Sequence, residues 1–121
     1  MIVDTNILID YLRDKLEAVR FLEPPNPSFS ISVVSVAEVY AGLKGADELL
    51  VLQTFLKSFA IHDVTEEIAR IAGTYLNQYS KSHHIGIADA IIAATASVFN
   101  EELATLNTKD FPMTKSLIKP Y

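Results

Sequence analysis

Met1-Ile2-Val3-Asp4-Thr5-Asn6-Ile7-Leu8 sets three apolar residues, a carboxylate and two small polar residues in front of a second apolar run. Ile2-Val3 reads as a very short buried strand that ends on Asp4. Beyond it the apolar positions Ile7, Leu8, Tyr11, Leu12, Leu16, Val19 and Leu22 recur every three or four residues and predict one amphipathic helix. Pro24-Pro25-Asn26-Pro27 is its expected stop.

The same alternation continues along the chain. Ser30-Ile31-Ser32-Val33 predicts a second strand, and Ser35 opens a helix to about Leu43 that the Gly42–Gly45 region closes. Leu49, Leu50, Leu52, Phe55, Leu56 and Phe59 predict a helix, followed by a short strand at Ile61-His62-Asp63-Val64. A further helix follows Thr65, a polar connection spans Lys81-Ser82-His83-His84, and Ile87 through Val98 is a small-residue, apolar helix. Leu103-Ala104-Thr105-Leu106 is the last clear strand; Asp110-Phe111-Pro112 turns the chain, and Ser116-Leu117-Ile118-Lys119 is a candidate edge strand. Strands alternating with helices predict an α/β fold with a mostly parallel sheet. Such sheets carry their sites at the edge formed by the strand carboxyl ends. Asp4, Asn107 and Asp110 fall just past such ends.

A chain of 121 residues and 13.4 kDa is expected to form one domain, residues 1–121, with a sizeable core. Half its residues are hydrophobic and 21% are charged, which excludes a disordered chain. With no cysteine there is no disulfide scaffold, thiolate zinc site or cysteine nucleophile. The net charge of -5, from 10 basic and 15 acidic residues, excludes capture of nucleic acid by bulk attraction. The start lacks the positive lead-in of a signal peptide, and Ile87–Phe99 is too short to span a bilayer. A soluble, cytoplasmic protein with no membrane partner is expected.

The acids are more informative than the bases. Asp4 lies between two apolar runs, where a carboxylate is costly to desolvate unless it is paired; capping the following helix is its other use. Ser35-x-x-Glu38 has the form of a capping box, and a helix start is also where a site carboxylate is held. Asp89 is the sharpest anomaly, because Ile87-Ala88-Asp89-Ala90-Ile91-Ile92-Ala93-Ala94 is built for burial. Its first-turn position offers some support from the helix dipole, but a cation is the partner such an acid calls for. Asp110 shares with Asn107 a stretch typical of turns. An α/β sheet can bring these four acids to one edge. Clustered there, they cannot all ionise without cations. Oxygen-only ligands select hard ions such as Mg²⁺ or Mn²⁺, which suit phosphodiester hydrolysis. His83-His84, Glu66-Glu67 and Glu101-Glu102 read as solvated surface, and there is neither a glycine-rich phosphate loop nor a G-x-S-x-G elbow.

Four segments carry a resemblance that covers nearly the whole chain in order. Ile2-Val3-Asp4-Thr5-Asn6-Ile7-Leu8, Ser35-Val36-Ala37-Glu38, Ile87-Ala88-Asp89-Ala90-Ile91-Ile92-Ala93 and Leu103-Ala104-Thr105-Leu106-Asn107-Thr108-Lys109-Asp110-Phe111 resemble the PIN-domain ribonucleases. Within that family they are similar to the VapC-type toxins of prokaryotic toxin–antitoxin pairs. The resemblance implies a single PIN-like domain, with a five-stranded parallel sheet flanked by helices. It implies a Mg²⁺-dependent endoribonuclease, with Mn²⁺ as substitute, acting on tRNA, rRNA or mRNA. It also implies a homodimer and a cognate antitoxin that covers the site. Asp4 and Asp89 would be the main metal ligands, Glu38 would hold the metal or its waters, and Thr5 and Asn6 would steady Asp4. Many members carry an acid at the place of Asn107; here it is an amide, which leaves one metal or two open and points to Asp110 for the remaining charge. Arg13, Lys15, Lys44 and Lys109 are the candidates for gripping substrate.

Two other classes compete. A PIN-like module kept only for binding is one, and it would keep its affinity after Asp89→Asn. An aspartate-phosphorylated phosphatase or receiver domain is the other. The phosphatase needs a second acid two residues after its nucleophile, where this chain has Asn6.

Overall fold

A computed structural model describes residues 1–23 and 28–121, so the expected stop at Pro24-Pro25-Asn26-Pro27 lies outside the described residues. Along the chain the elements are β1 (Ile2–Val3), α1 (Thr5–Leu12), α2 (Leu16–Leu22), β2 (Ser30–Ser32), α3 (Val33–Ala41), α4 (Ala46–Leu56), β3 (Ala60–His62), α5 (Glu66–His83), α6 (Ile87–Phe99), β4 (Leu103–Ala104), a 3-10 turn (Thr108–Asp110) and β5 (Leu117–Ile118). The strands form one five-stranded sheet, ordered β3-β2-β1-β4-β5, and every pairing is parallel. The expected tail strand is therefore present, laid beside β4 at the sheet's edge. Among the described residues, no helix is long and apolar enough to cross a membrane.

Strand order places the site. From β1 the chain builds outward through β2 and β3, then returns to add β4 and β5 on the other side. The carboxyl ends of β1 and β4 thus flank a topological switch point, where α/β sheets open a crevice. Strand alternation decides what faces that crevice. Val3 and Ala104 join the core beneath α1, α3 and α4, with Ile7, Leu8, Ile31, Leu52 and Phe55. Ile2 and Leu103 point to the opposite face and pack with Ile92, Ala93 and Phe111. Asp4 and Thr105, two residues further along each strand, fall on that second face, where α6 passes.

Several boundaries differ from expectation. The predicted helix over Ile7–Leu22 is two helices, because Asp14 adopts a left-handed backbone (φ 59°) and the Asp10 carbonyl accepts from Lys15 N–H at 3.0 Å. Asp tolerates that conformation better than most residues. Helix α3 begins before Ser35: Ser32 is its cap, its hydroxyl accepting from Val34 N–H at 3.1 Å. The polar 81–84 segment is mostly helical, since α5 runs to His83. The third strand is Ala60–His62 rather than 61–64, and β4 ends at Ala104 rather than Leu106.

Helix α6 follows from its composition. Ala90, Ile92, Ala93, Ala94, Thr95 and Ala96 are buried, and the small side chains let α6 lie close to both the sheet and α5. Asn100 ends it in the left-handed region (φ 51°), a common helix terminator.

Candidate active site

Asp4 is 6% exposed and caps α1, its Oδ1 accepting from Thr5 N–H at 2.7 Å. Its other oxygen, Oδ2, accepts from the hydroxyl of Thr105 at 2.7 Å. Capping and a site role therefore coincide in one side chain. Burial pushes the Asp4 carboxyl above its ordinary range; the hydrogen bonds from Thr105 and Thr5 work against this, and the charges of Glu38 and Asp110 add to it. Asp89, half-buried in the first turn of α6, is pushed up to about 6. Desolvation is the main cause, followed by the charges of Asp4, Asp110 and Glu38; the hydrogen bond from Gly86 backbone works the other way.

These influences show that the four predicted acids share one neighbourhood. Asp4 and Asp89 each feel both Glu38 and Asp110. Glu38 does not reach back to Ser35 N–H as a capping box requires. Its Oε1 accepts instead from the hydroxyl of Thr5 at 2.6 Å, across from α3 to α1. Thr5 thus serves Asp4 through its backbone and Glu38 through its side chain. Asp110 ends the 3-10 turn that follows β4, whereas Asn107 is exposed and contributes its N–H to Thr105 Oγ1 at 3.0 Å.

Thr105 was not a predicted site residue. It is fully buried, accepts from Asn107 N–H and donates to Asp4, so it ties the end of β4 to the end of β1. The available signal was its place: it stands in β4's last expected turn of alternation, two residues past Leu103, as Asp4 stands past Ile2.

Among the described residues, no lysine, arginine or histidine pairs with any of the four acids. Of the bases expected to grip substrate, Lys109 adjoins Asp110 in the same 3-10 turn. Lys15 lies 3.6 Å from Asp10 and over the Tyr121 ring, while Arg13 and Lys44 line a cavity of about 510 Å³ between α1, α3 and α4 that holds none of the four acids. His83 and His84 are exposed, and the His83 ring meets Ser82 Oγ at 2.6 Å. Glu101 is not solvated surface, a correction to the sequence reading: just before β4 it bonds the Met1 amino group, Ser30 at the start of β2 and the His62 ring of β3.

The donor set fits a hard divalent cation. It consists of oxygen acceptors in like-charged surroundings; next to Thr5 in sequence, Asn6 has a buried Oδ1 with no hydrogen-bond partner. Among the described residues no three His, Asp or Glu side chains close into a cage around an ion. An open arrangement suits Mg²⁺, which retains several waters and takes only one or two carboxylates.

Known proteins resemble this chain in sequence and in fold. The family model for the PIN domain matches residues 1–115. Ribonuclease VapC10 of Mycobacterium tuberculosis is 40% identical over 124 aligned positions, covering 100% of this chain and 92% of the relative. Ribonuclease VapC19 of the same organism is 37% identical, covering 99% and 98%. A toxin–antitoxin complex from Klebsiella pneumoniae contains a chain with TM-score 0.85 and 33% identity, covering 99% of this chain and 97% of that one.

Proposed function

This chain belongs to the PIN-domain family, and from that membership we propose that its acidic edge is the hydrolytic site of a VapC-type endoribonuclease, the toxin of a toxin–antitoxin pair. The observation that carries the reading is a set of four carboxylates at the β1/β4 switch point, two of them raised in pKa, without a cationic side chain paired to them among the described residues. A protein pays for such an arrangement only where a cation completes it.

In the proposed site Asp4 and Asp89 hold Mg²⁺, or Mn²⁺ in its place, and Glu38 and Asp110 complete the charge around it. Bound there, the cation supplies positive charge for the scissile phosphate and lowers the pKa of a water. The chain's own residues do the positioning. Thr105 and the Thr5 N–H hold both oxygens of Asp4 in one orientation. Thr5 holds Glu38 at the rim. Lys109, beside Asp110, meets the phosphate backbone. The whole of residues 1–121 acts as a single domain, in the cytoplasm, as a homodimer whose cognate antitoxin covers the edge.

Cleavage of total cellular RNA by the purified, antitoxin-free chain tests this. Discrete cuts are expected with Mg²⁺ or Mn²⁺, none with chelator, and none from the Asp4→Asn variant. RNA left intact by wild type under every metal condition overturns the catalytic reading and leaves a binding module.

A further inference from the structure

Ser35 makes a contact whose direction follows from proton counting. It is fully buried on α3, and its Oγ lies 2.8 Å from Thr5 Oγ1, while Thr5 Oγ1 lies 2.6 Å from Glu38 Oε1. A hydroxyl carries one proton, and an ionised carboxylate only accepts. Thr5 therefore gives its proton to Glu38, and Ser35 gives its own to Thr5. The reverse order, Thr5 donating to Ser35, would leave two acceptor oxygens facing each other at 2.6 Å. Among the described residues, Thr5 is the one hydrogen-bond partner of the Ser35 hydroxyl.

Ser35 and Glu38 stand three positions apart on α3, hence on one helix face, and Thr5 meets both from the first turn of α1. Glu38 is exposed and, with three rotatable bonds, has no other hydrogen bond to its carboxylate among the described residues. Its orientation thus depends on Thr5, and the orientation of the Thr5 proton depends on Ser35.

We infer that Ser35 is a positioning residue for the acidic edge, acting through Thr5 to fix the Glu38 carboxylate towards the divalent cation. This rests on the proposed function for the role of Glu38, but the hydroxyl chain itself does not.

A double-mutant cycle on Ser35→Ala and Thr5→Val tests it, read out by RNA cleavage, by Mn²⁺ titration calorimetry and by thermal melting. Each single variant is expected to cleave about tenfold more slowly and to bind Mn²⁺ several-fold more weakly, Ser35→Ala by losing its bond to Thr5 and Thr5→Val by losing both bonds of the Thr5 hydroxyl. Because Ser35 acts only through Thr5, the double variant is expected to match Thr5→Val alone in both readouts. Ser35→Thr, which restores the hydroxyl, recovers most of the loss and controls for a folding defect in the alanine variant. Losses that multiply in the double variant overturn the relay. So does a Ser35→Ala protein that melts earlier but binds Mn²⁺ and cleaves as wild type does. If wild type cleaves no RNA, the proposed function fails, while the Mn²⁺ cycle still decides whether Ser35 works through Thr5.

Discussion

Asp4 and Glu101 stand at opposite ends of the same strands and receive opposite electrostatic treatment. Glu101, just before β4, meets the Met1 amino group at 2.9 Å, Ser30 Oγ at 3.0 Å and His62 Nε2 at 2.9 Å, with the His62 ring stacked on Phe99. Burial raises its pKa, but the hydrogen bonds from the amino group, His62 and Ser30 outweigh this, and the carboxyl lies below its ordinary range. Asp4, past the other end of β1, is buried with two neutral donors and other acids nearby; burial, and then the charges of Glu38 and Asp110, raise its pKa against the hydrogen bonds from Thr105 and Thr5. One end of the sheet is electrostatically closed; the other is left with unbalanced negative charge. A fold that can meet a half-buried acid with an ammonium group and a histidine ring at one edge has no structural need to leave four acids without a cationic partner at the other. That contrast separates stability from function within a single sheet.

The sharpest way to break the comparison is to remove one charge from each end. Asp89→Asn is expected to slow RNA cleavage at least ~100-fold, since in the proposed site the cation would lose one of its two main ligands. An Asp89→Asn protein that keeps a tenth of the wild-type rate would mean that the unbalanced acids are not the hydrolytic site.

At the closed end the sign is reversed. Glu101→Ala is expected to lower stability by about 2 kcal/mol in urea unfolding, because it strands His62 and Ser30 and leaves an ammonium group without its acid. Cleavage per folded molecule should be unchanged. A lowered pKa contributes stability that is present above the carboxyl's ordinary value and lost as pH falls through the folded value. The gap between wild type and variant should therefore shrink on acidification; a gap independent of pH would show that packing, not charge, is what Glu101 supplies.

Asp89→Asn carries a second expected effect, on stability, of opposite direction to that of Glu101→Ala. The Asp89 pKa is raised to about 6, so in metal-free protein its contribution is favourable below about pH 4 and is lost as pH rises through about 6. The full shift corresponds to about 3 kcal/mol; partial exposure and solvent screening reduce this to about 1–2 kcal/mol. In chelator at pH 7.5 the variant is expected to melt some 3–8 °C above wild type, with little difference at pH 4. Saturating Mg²⁺ should cancel or invert the order, because only wild type gains from the ion. A variant less stable than wild type in chelator at pH 7.5 would show that the chain itself already satisfies the Asp89 charge.

The two ends also differ in how far they could be read from sequence. Asp4 and Asp89 were legible because each interrupts an apolar run, so its cost is visible in the immediate neighbours. The parallel sheet and the tail strand were legible from alternation. Thr105 was not, because its partner lies 101 positions away and nothing local distinguishes it from any strand threonine. Glu101 was misread for the same reason: the groups that bury and pair it come from β1, β2 and β3. The break at Asp14 escaped because Leu12 and Leu16 keep helical spacing across it, so the apolar pattern runs through a reversal of the backbone. Glu38 is a mixed case: its motif suggests a capping box, whereas its carboxylate is bound from another helix.

The smallest expected effect concerns the fourth position of the acidic edge, where Asn107 and Asp110 compete. Asp110 is felt by both Asp4 and Asp89, while the exposed Asn107 acts on the site through its backbone N–H to Thr105. Asp110→Asn should therefore move the Asp89 titration below 6, seen in a carboxyl NMR titration of metal-free protein, and slow cleavage several-fold. It should not abolish cleavage, because Asp4 and Asp89 remain. Asn107→Asp should leave the Asp89 titration nearly in place, since an exposed charge is screened by water. If the two variants exchange these outcomes, the fourth acid position lies at residue 107 and Asp110 is a turn residue.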